Sequence, residues 1–314
     1  MSRVMKVITN LSLLKKERRP IVLAAGFFDG LHRGHKRVIA KTITAAERIG
    51  GAAWVLTFDE HPIKVLRPSS APLLLTSNRH KLRLLRTLGV DGCLLLPFTR
   101  RFASLEPEAF VELLAGATSM LRRVLVGDGW RFGRKERGDA VMLKKLAGRF
   151  HIKVTPVEPV LRHGRAVSST RIREEVARGN LKEAGLMLGR PFSILGTVVG
   201  GRAIGRKIGF PTANLETFNE VLPPFGVYAV RTEIGGRFSD GVVNIGVRPT
   251  FKGSGGKKAT IEAHLLGLNR NLYGREVEVF FIKKLRDEKK FASADDLRKQ
   301  IEKDVKNARK ALEE

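Results

Sequence analysis

Two histidines three residues apart, His32 and His35 in "GFFDGLHRGHKRVI" (residues 26–39), follow the apolar run "PIVLAA" and open a segment of helical period. If a helix begins near His32, both imidazoles face one side of it. Gly34 removes a side chain where a ligand has to approach closely, and the free N–H groups of a helix start favour an anion. Phosphate is the natural occupant. Imidazoles can donate hydrogen bonds to oxygens on which charge builds during phosphoryl or nucleotidyl transfer, without a covalent intermediate. Taken alone, such a pair is more often capping or surface detail. Two further stretches bear on it. "TFDEHP" (57–62) ends a second apolar run, so Asp59 and His61 can reach the same sheet edge, and "SSTRIR" (168–173) starts a helix with Ser168, Ser169, Thr170 and Arg171 available to phosphate oxygens. The hydroxyl run reads equally well as a plain helix cap.

A second constellation lies at "GRAIGRKIGFPTANL" (201–215). Backbone N–H groups of a glycine-rich loop (Gly205, Gly209) can wrap a phosphate, while Arg206 and Lys207 supply charge. After Pro211, Thr212 and Asn214 offer neutral oxygen ligands suited to a hard ion such as Mg2+ shared with ATP. A flexible basic loop is the alternative reading.

The elements that must position these residues follow from the hydrophobic pattern. Between residues 21 and about 157, apolar runs ("IVLAAG", "AAWVLTF", "GCLLLPF", "RRVLVG", "IKVTPV") alternate with helical segments at 35–49, 78–88, 106–115 and 139–148. Such alternation predicts an α/β domain with a parallel, Rossmann-like sheet, whose ligands sit at the carboxyl ends of the strands. Beyond residue 186 the pattern changes to strands divided by Gly, Pro and Asn ("FSILGTVVG", "GVYAVRTEIGG", "FSDGVVNIG", "ATIEAHLLG", "REVEVFFIKKL"), which predicts an antiparallel β-barrel. A single C-terminal helix closes it, with Ser293 as N-cap, Asp296 at the capping-box position, and Leu297, Ile301, Val305, Ala308 and Leu312 on one face. The expected domains are 1–186 and 187–314.

Composition sets the bounds. At 314 residues, a prior of about 150 residues per domain fits two domains. Lys and Arg number 58 against 31 Asp and Glu, a net charge of +27, which favours phosphates, nucleic acid or anionic surfaces without choosing among them. No interleaved aromatic and basic pattern of the single-strand-binding kind is visible, so no nucleic acid is required. Cys93 is the only cysteine, which fits a reducing compartment, and no apolar run reaches the length of about 18 residues needed to span a membrane. "MSRVMKVITNL" is too broken by charge for a secretory signal. A cytoplasmic location is expected, and a homo-oligomer stays open.

"GFFDGLHRGH", "TFDEHP", "VGDGWRFG" and "SSTRIR" resemble the FMN adenylyltransferase module of bacterial bifunctional riboflavin kinase/FAD synthetases, and "GRKIGFPTANL", "PPFGVYAV", "VVNIGVRPTF", "TIEAHLL" and "NLYGREVEVFFIKKLRDEKKF" resemble their riboflavin kinase module. The resemblance covers almost the whole chain. It implies that riboflavin and ATP give FMN, and that FMN and a second ATP give FAD and pyrophosphate, with FMN and FAD as substrate and products. It also implies a six-stranded kinase barrel. His32 and His35 then contact the ATP phosphates, with Gly26, Phe27, Asp29, Gly30, Gly34, Asp59, His61, Ser168, Ser169, Thr170 and Arg171 around ATP and FMN. In the kinase, Gly205, Arg206, Lys207, Gly209, Pro211 and Asn244 bind ATP, Thr212 and Asn214 bind Mg-ATP, and Glu262 of "IEAH" takes the proton of the ribityl hydroxyl. The chain departs from the family pattern at Glu60, where proline is usual, at Gly129, where Asn or Asp is usual, and at Gly267, which is often acidic.

Overall fold

The computed structural model of the chain describes residues 4–200, 209–247, 259–268 and 271–313. They pack as two units. One runs to Leu74 and resumes over Asn78–Ser169; the other takes Leu75–Ser77 and the described residues from Thr170 onward.

In the first unit, β1 (Lys6–Ile8), β2 (Ile21–Ala25), β3 (Ala52–Phe58), β4 (Gly92–Leu96), β5 (Leu121–Gly127) and β6 (Lys153–Val157) form one parallel sheet. Its order is β1-β4-β3-β2-β5-β6. Helices α1 (Arg33–Glu47), α2 (Pro62–Leu66), α3 (Asn78–Thr87), α4 (Arg100–Ala103), α5 (Pro107–Gly116) and α6 (Ala140–Gly148) connect the strands. Every residue of β2 and β3 is buried, which is why these central strands read as unbroken apolar runs. Alternate residues feed opposite faces. Leu23, Trp54 and Leu56 pack with Phe110 of α5 and Leu143 of α6, whereas Val22, Ala24 and Val55 pack with Val38 and Ile39 of α1 and Leu84 and Leu85 of α3. Each such large side chain contributes roughly 1.5–3 kcal/mol on burial. From β2 the chain goes to β3 on one side, while β5 lies on the other, and this reversal opens a crevice at the carboxyl end of β2. A two-residue hairpin pair, β7 (Leu161–Arg162) and β8 (Arg165–Ala166), follows the sheet.

Helix α7 (Ser169–Ala177), apart from its first residue, and α8 (Leu181–Leu188) pack with the second unit, so the division by packing falls earlier than residue 186. Strands β9 (Ser193–Val199), β10 (Ala213–Thr217), β11 (Gly226–Ile234), β12 (Arg237–Val247), β13 (Ala259–Leu265) and β14 (Glu276–Arg286) close into an antiparallel barrel in the order β10-β13-β12-β11-β14-β9. Val243, Ile245, Ile261 and Ala263 are buried inside it. Their alternates face outward. Val227, Ala229 and Val242 meet Val305, Ala308, Ala311 and Leu312 of α9 (Ala294–Glu313), the C-terminal helix. Its start is capped as the sequence requires: Asp296 N–H donates to Ser293 Oγ at 3.1 Å, and Ser293 Oγ–H donates to the Asp296 carboxylate at 2.7 Å. Among the described residues no helix is long and apolar enough to cross a membrane.

Candidate active sites

The turn after β2 is built from unusual backbone. Phe28, Gly30 and Leu31 all have positive φ (56°, 77° and 43°). For the two non-glycine residues this costs about 1–2 kcal/mol each, and full burial of Phe28 and Leu31 holds them there. The turn aims its last residue at the start of α1. His32 is the N-cap: its Nδ1 accepts a hydrogen bond from the His35 backbone N–H at 3.3 Å. An accepting Nδ1 leaves the ring proton of neutral His32 on Nε2. The His35 ring stacks on that of His32, with centroids 3.5 Å apart and planes 20° from parallel. Gly34 allows this, because a Cβ there would meet His32 Cε1 and Nδ1 at 3.1 Å. The glycine between the histidines thus makes room for an imidazole.

Burial pushes the His35 pKa well below its ordinary value, and a further cation is also disfavoured beside the His32 ring and the Lys81 ammonium. His35 is therefore a neutral imidazole at physiological pH, and its buried Nδ1 has no hydrogen-bond partner among the described residues. His61 repeats the capping device on α2, accepting from Ile63 N–H at 3.1 Å through Nδ1. Its ring meets the edge of Phe27 at 4.6 Å, so the loops after β2 and β3 come together as expected. Ser169 Oγ–H donates to the Asp29 carbonyl at 2.9 Å, which brings Ser169 to the turn before His32. Thr170 and Arg171, the next residues of α7, pack with the second unit.

Asp59 is less available than its motif implies. One carboxylate oxygen accepts Phe98 N–H at 2.9 Å, and its carbonyl accepts from Asn78 Nδ2 at 2.6 Å, so it organises the loop after β3. Among the described residues, chain neighbours aside, no atom lies within 4 Å of the place where a Gly129 Cβ would stand.

In the second unit the candidate residues fall into register. Asn214 on β10 pairs with Glu262 on β13, which pairs with Asn244 on β12, then Val227 on β11 and Arg286 on β14. Directly opposed residues share a face with neighbouring Cβ atoms about 4.5–5.5 Å apart, so one carboxylate stands between two amides on the outer barrel wall. A cavity of about 270 Å3 lies between that wall and α9, and Thr212, Asn244 and Glu262 all line it. Glu262 is half-buried there.

Residues without a role in the sequence reading complete this cavity. His264, two residues from Glu262 and on the same face, has Nδ1 2.9 Å from the Pro211 carbonyl. That oxygen only accepts, so Nδ1 carries the proton, and His264 pins the backbone beside Thr212. Arg286 donates to both oxygens of buried Asp304 (2.8–3.0 Å), and Gln300 adds a fourth donor contact at 2.8 Å. This joins β14 to α9. The alternation of His264 with Glu262 was readable; the pairing of Arg286 with Asp304, eighteen positions on, carries no local signal. Gly209 is exposed with φ of 87°, while Gly205, Arg206 and Lys207 lie outside the described residues.

Each of the two units, a parallel α/β sheet and an antiparallel barrel, thus carries its own polar constellation. Comparison with known proteins gives the class. The FAD synthetase family profile matches residues 14–171 and the riboflavin kinase profile residues 188–312. The chain is 38% identical over 308 residues to the bifunctional riboflavin kinase/FMN adenylyltransferase of Escherichia coli strain K12, covering 98% of this chain and 97% of that one. It is 35% identical over 299 residues to the enzyme of the same description from Bacillus subtilis, covering 94% of each. A crystal structure from Streptococcus pneumoniae, described as a macrolide-efflux protein, superimposes with a TM-score of 0.84 at 33% identity, over 98% of this chain and 99% of that one. The chain belongs to the bifunctional riboflavin kinase/FMN adenylyltransferase family, and makes FMN from riboflavin and FAD from FMN.

Proposed function

We propose that the two reactions are divided between the two constellations, with adenylyl transfer in the module of residues 1–186 and riboflavin phosphorylation in that of residues 187–314. The observation that carries this reading is that each constellation sits on its own core, one at the carboxyl end of β2 and one on the outer wall of the barrel.

In the first module FMN phosphate attacks the α-phosphorus of ATP and pyrophosphate leaves. The nucleophile is already an anion, so no base is needed. What the protein supplies is position and charge stabilisation. His32 donates from Nε2, its other nitrogen being held by the N-cap, and neutral His35, whose Nδ1 is buried, donates from Nε2 to the same phosphates. Ser168 and Ser169 add further phosphate contacts, as their motif implies.

In the second module Glu262 accepts the proton of the ribityl hydroxyl as its oxygen attacks the γ-phosphorus of ATP in line. Asn214 and Asn244 flank it and orient the reacting groups. Among the described residues no cluster of three His, Cys, Asp or Glu could hold a metal by itself. The donors present, a hydroxyl, an amide and one carboxylate, suit an ion that arrives with ATP and keeps most of its ligands as phosphate and water. Thr212 and Asn214 would hold Mg2+, which withdraws charge from the phosphates when bound. The substrates are small molecules, the setting is the cytoplasm, and neither nucleic acid nor membrane is required.

Incubation of the purified protein with riboflavin, ATP and Mg2+, followed by chromatography of the flavins, tests the reading. FMN should appear first and FAD after it. Accumulation of FMN without FAD would refute the adenylyl-transfer assignment.

A further inference from the structure

Lys81, on the first turn and a half of α3, is 1% exposed. Its Nζ donates to the Phe58 carbonyl at 3.0 Å and sits 4.3 Å from the centroid of the Phe27 ring. Among the described residues no carboxylate forms an ion pair with it. An ammonium buried with one hydrogen bond and one ring contact is a costly way to fill space that Leu or Met would fill.

Its surroundings indicate why a cation stands there. Asn78 and Lys81, three residues apart on α3, take two successive carbonyls of the loop after β3: Asn78 holds Asp59 at 2.6 Å, and Lys81 holds Phe58. That loop carries His61. Lys81 also lies against Phe27, whose ring meets His61 and whose carbonyl accepts Thr57 Oγ–H at 2.7 Å. Helix α3 packs in addition on the Asp29–Leu31 turn that leads to His32. One ammonium therefore touches both loops that form the adenylyl-transfer site.

We infer that Lys81 is a positioning residue for adenylyl transfer, which locks Phe27 and the 58–61 loop, and through them His61, into one arrangement. The inference rests on the placement of that reaction at His32 and His35. The charge itself takes part. Burial brings the Lys81 pKa down to about 8, against the opposing pull of Asp29, Cys93, Asp59 and Glu60. The positive charge in turn helps to keep His35 neutral. As pH rises through about 8, Lys81 loses its proton and the grip on the Phe58 carbonyl and the Phe27 face weakens.

The test measures FMN formation, FAD formation from supplied FMN, and thermal stability for the parent, Lys81→Met, Lys81→Arg and His35→Ala. For Lys81→Met the expected result is unchanged FMN formation, a Tm that is not lowered, and FAD formation down by at least about tenfold, the scale of a sub-ångström misplacement. In the parent, kcat/KM for FAD formation should fall on the alkaline side with a midpoint near 8, and that limb should be absent in Lys81→Arg, whose guanidinium does not titrate there. FAD formation by Lys81→Met close to the parent, or an alkaline limb that survives in Lys81→Arg, overturns the inference. The parent profile needs no variant to fold, so its lacking the limb also overturns it. If His35→Ala keeps FAD synthesis, the site assignment has failed; if only the Lys81 variants do, the positioning role alone has.

Discussion

Gly34→Ala is a one-methyl perturbation whose consequences can be worked from coordinates. The new Cβ would stand 3.1 Å from Cε1 and Nδ1 of His32, where ordinary contacts run at about 3.5–4.0 Å. The imidazole must retreat by about half an ångström. Its Nδ1 already accepts the His35 N–H at a long 3.3 Å, so the retreat breaks the N-cap. Losing a cap costs about 1 kcal/mol, and replacing a helical glycine by alanine returns about 1 kcal/mol, so the net change in stability is near zero. Catalysis has no such compensation. If an error of about 1 Å costs about 100-fold, half of that costs about tenfold. FAD formation from FMN should fall by about tenfold with Tm and FMN formation unchanged. The assay is pyrophosphate release with FMN and ATP, alongside flavin chromatography with riboflavin and ATP. Parent-like FAD formation would show that His32 does not act from its N-cap position, and an equal fall in FMN formation would show a general loss of fold.

The open space at Gly129 makes a gain of function testable. The Cβ of Gly129→Asn meets no described residue within 4 Å beyond its chain neighbours, and the substitution should raise FAD formation, by about tenfold if the amide makes one hydrogen bond to a charged substrate group; initial rates at subsaturating FMN check this. Asp304→Ala removes the ion pair of the half-buried Arg286 guanidinium between β14 and α9. It should destabilise the barrel by about 1–3 kcal/mol, seen as a lowered Tm. Residues 170–314, which include α8 along with the barrel, should phosphorylate riboflavin alone, since the Asn214–Glu262–Asn244 row and α9 lie within them; a folded but inactive fragment would contradict the division of labour.

Sequence patterning anticipated the sheet, the barrel and the closing helix because buried central strands and an amphipathic helix announce themselves by period. Elements that bury little do not. Strand β1 is three residues with none fully buried, and β10 has only Leu215 buried among Ala213–Thr217, so neither makes an apolar run. The histidine pair was legible from spacing, but the reason for Gly34 was not, since it depends on where one ring stacks on another. The hydrogen bond from Phe98 N–H to Asp59 could not be read from the motif, because it comes from a loop 39 positions away. Lys81 in "NRHKLRLL" reads as one more cation on a basic helix, and only its burial sets it apart.

The most direct test of two independent sites is a paired assay of Glu262→Gln and His35→Ala, each supplied separately with riboflavin and with FMN. Removing a positioned base typically costs about 100 to 10,000-fold. Glu262→Gln should therefore lose riboflavin phosphorylation by at least about 100-fold yet convert supplied FMN to FAD at the parent rate. His35→Ala should form FMN normally and no FAD. Loss of both activities in either folded variant, or near-normal FMN formation by Glu262→Gln, would contradict the account.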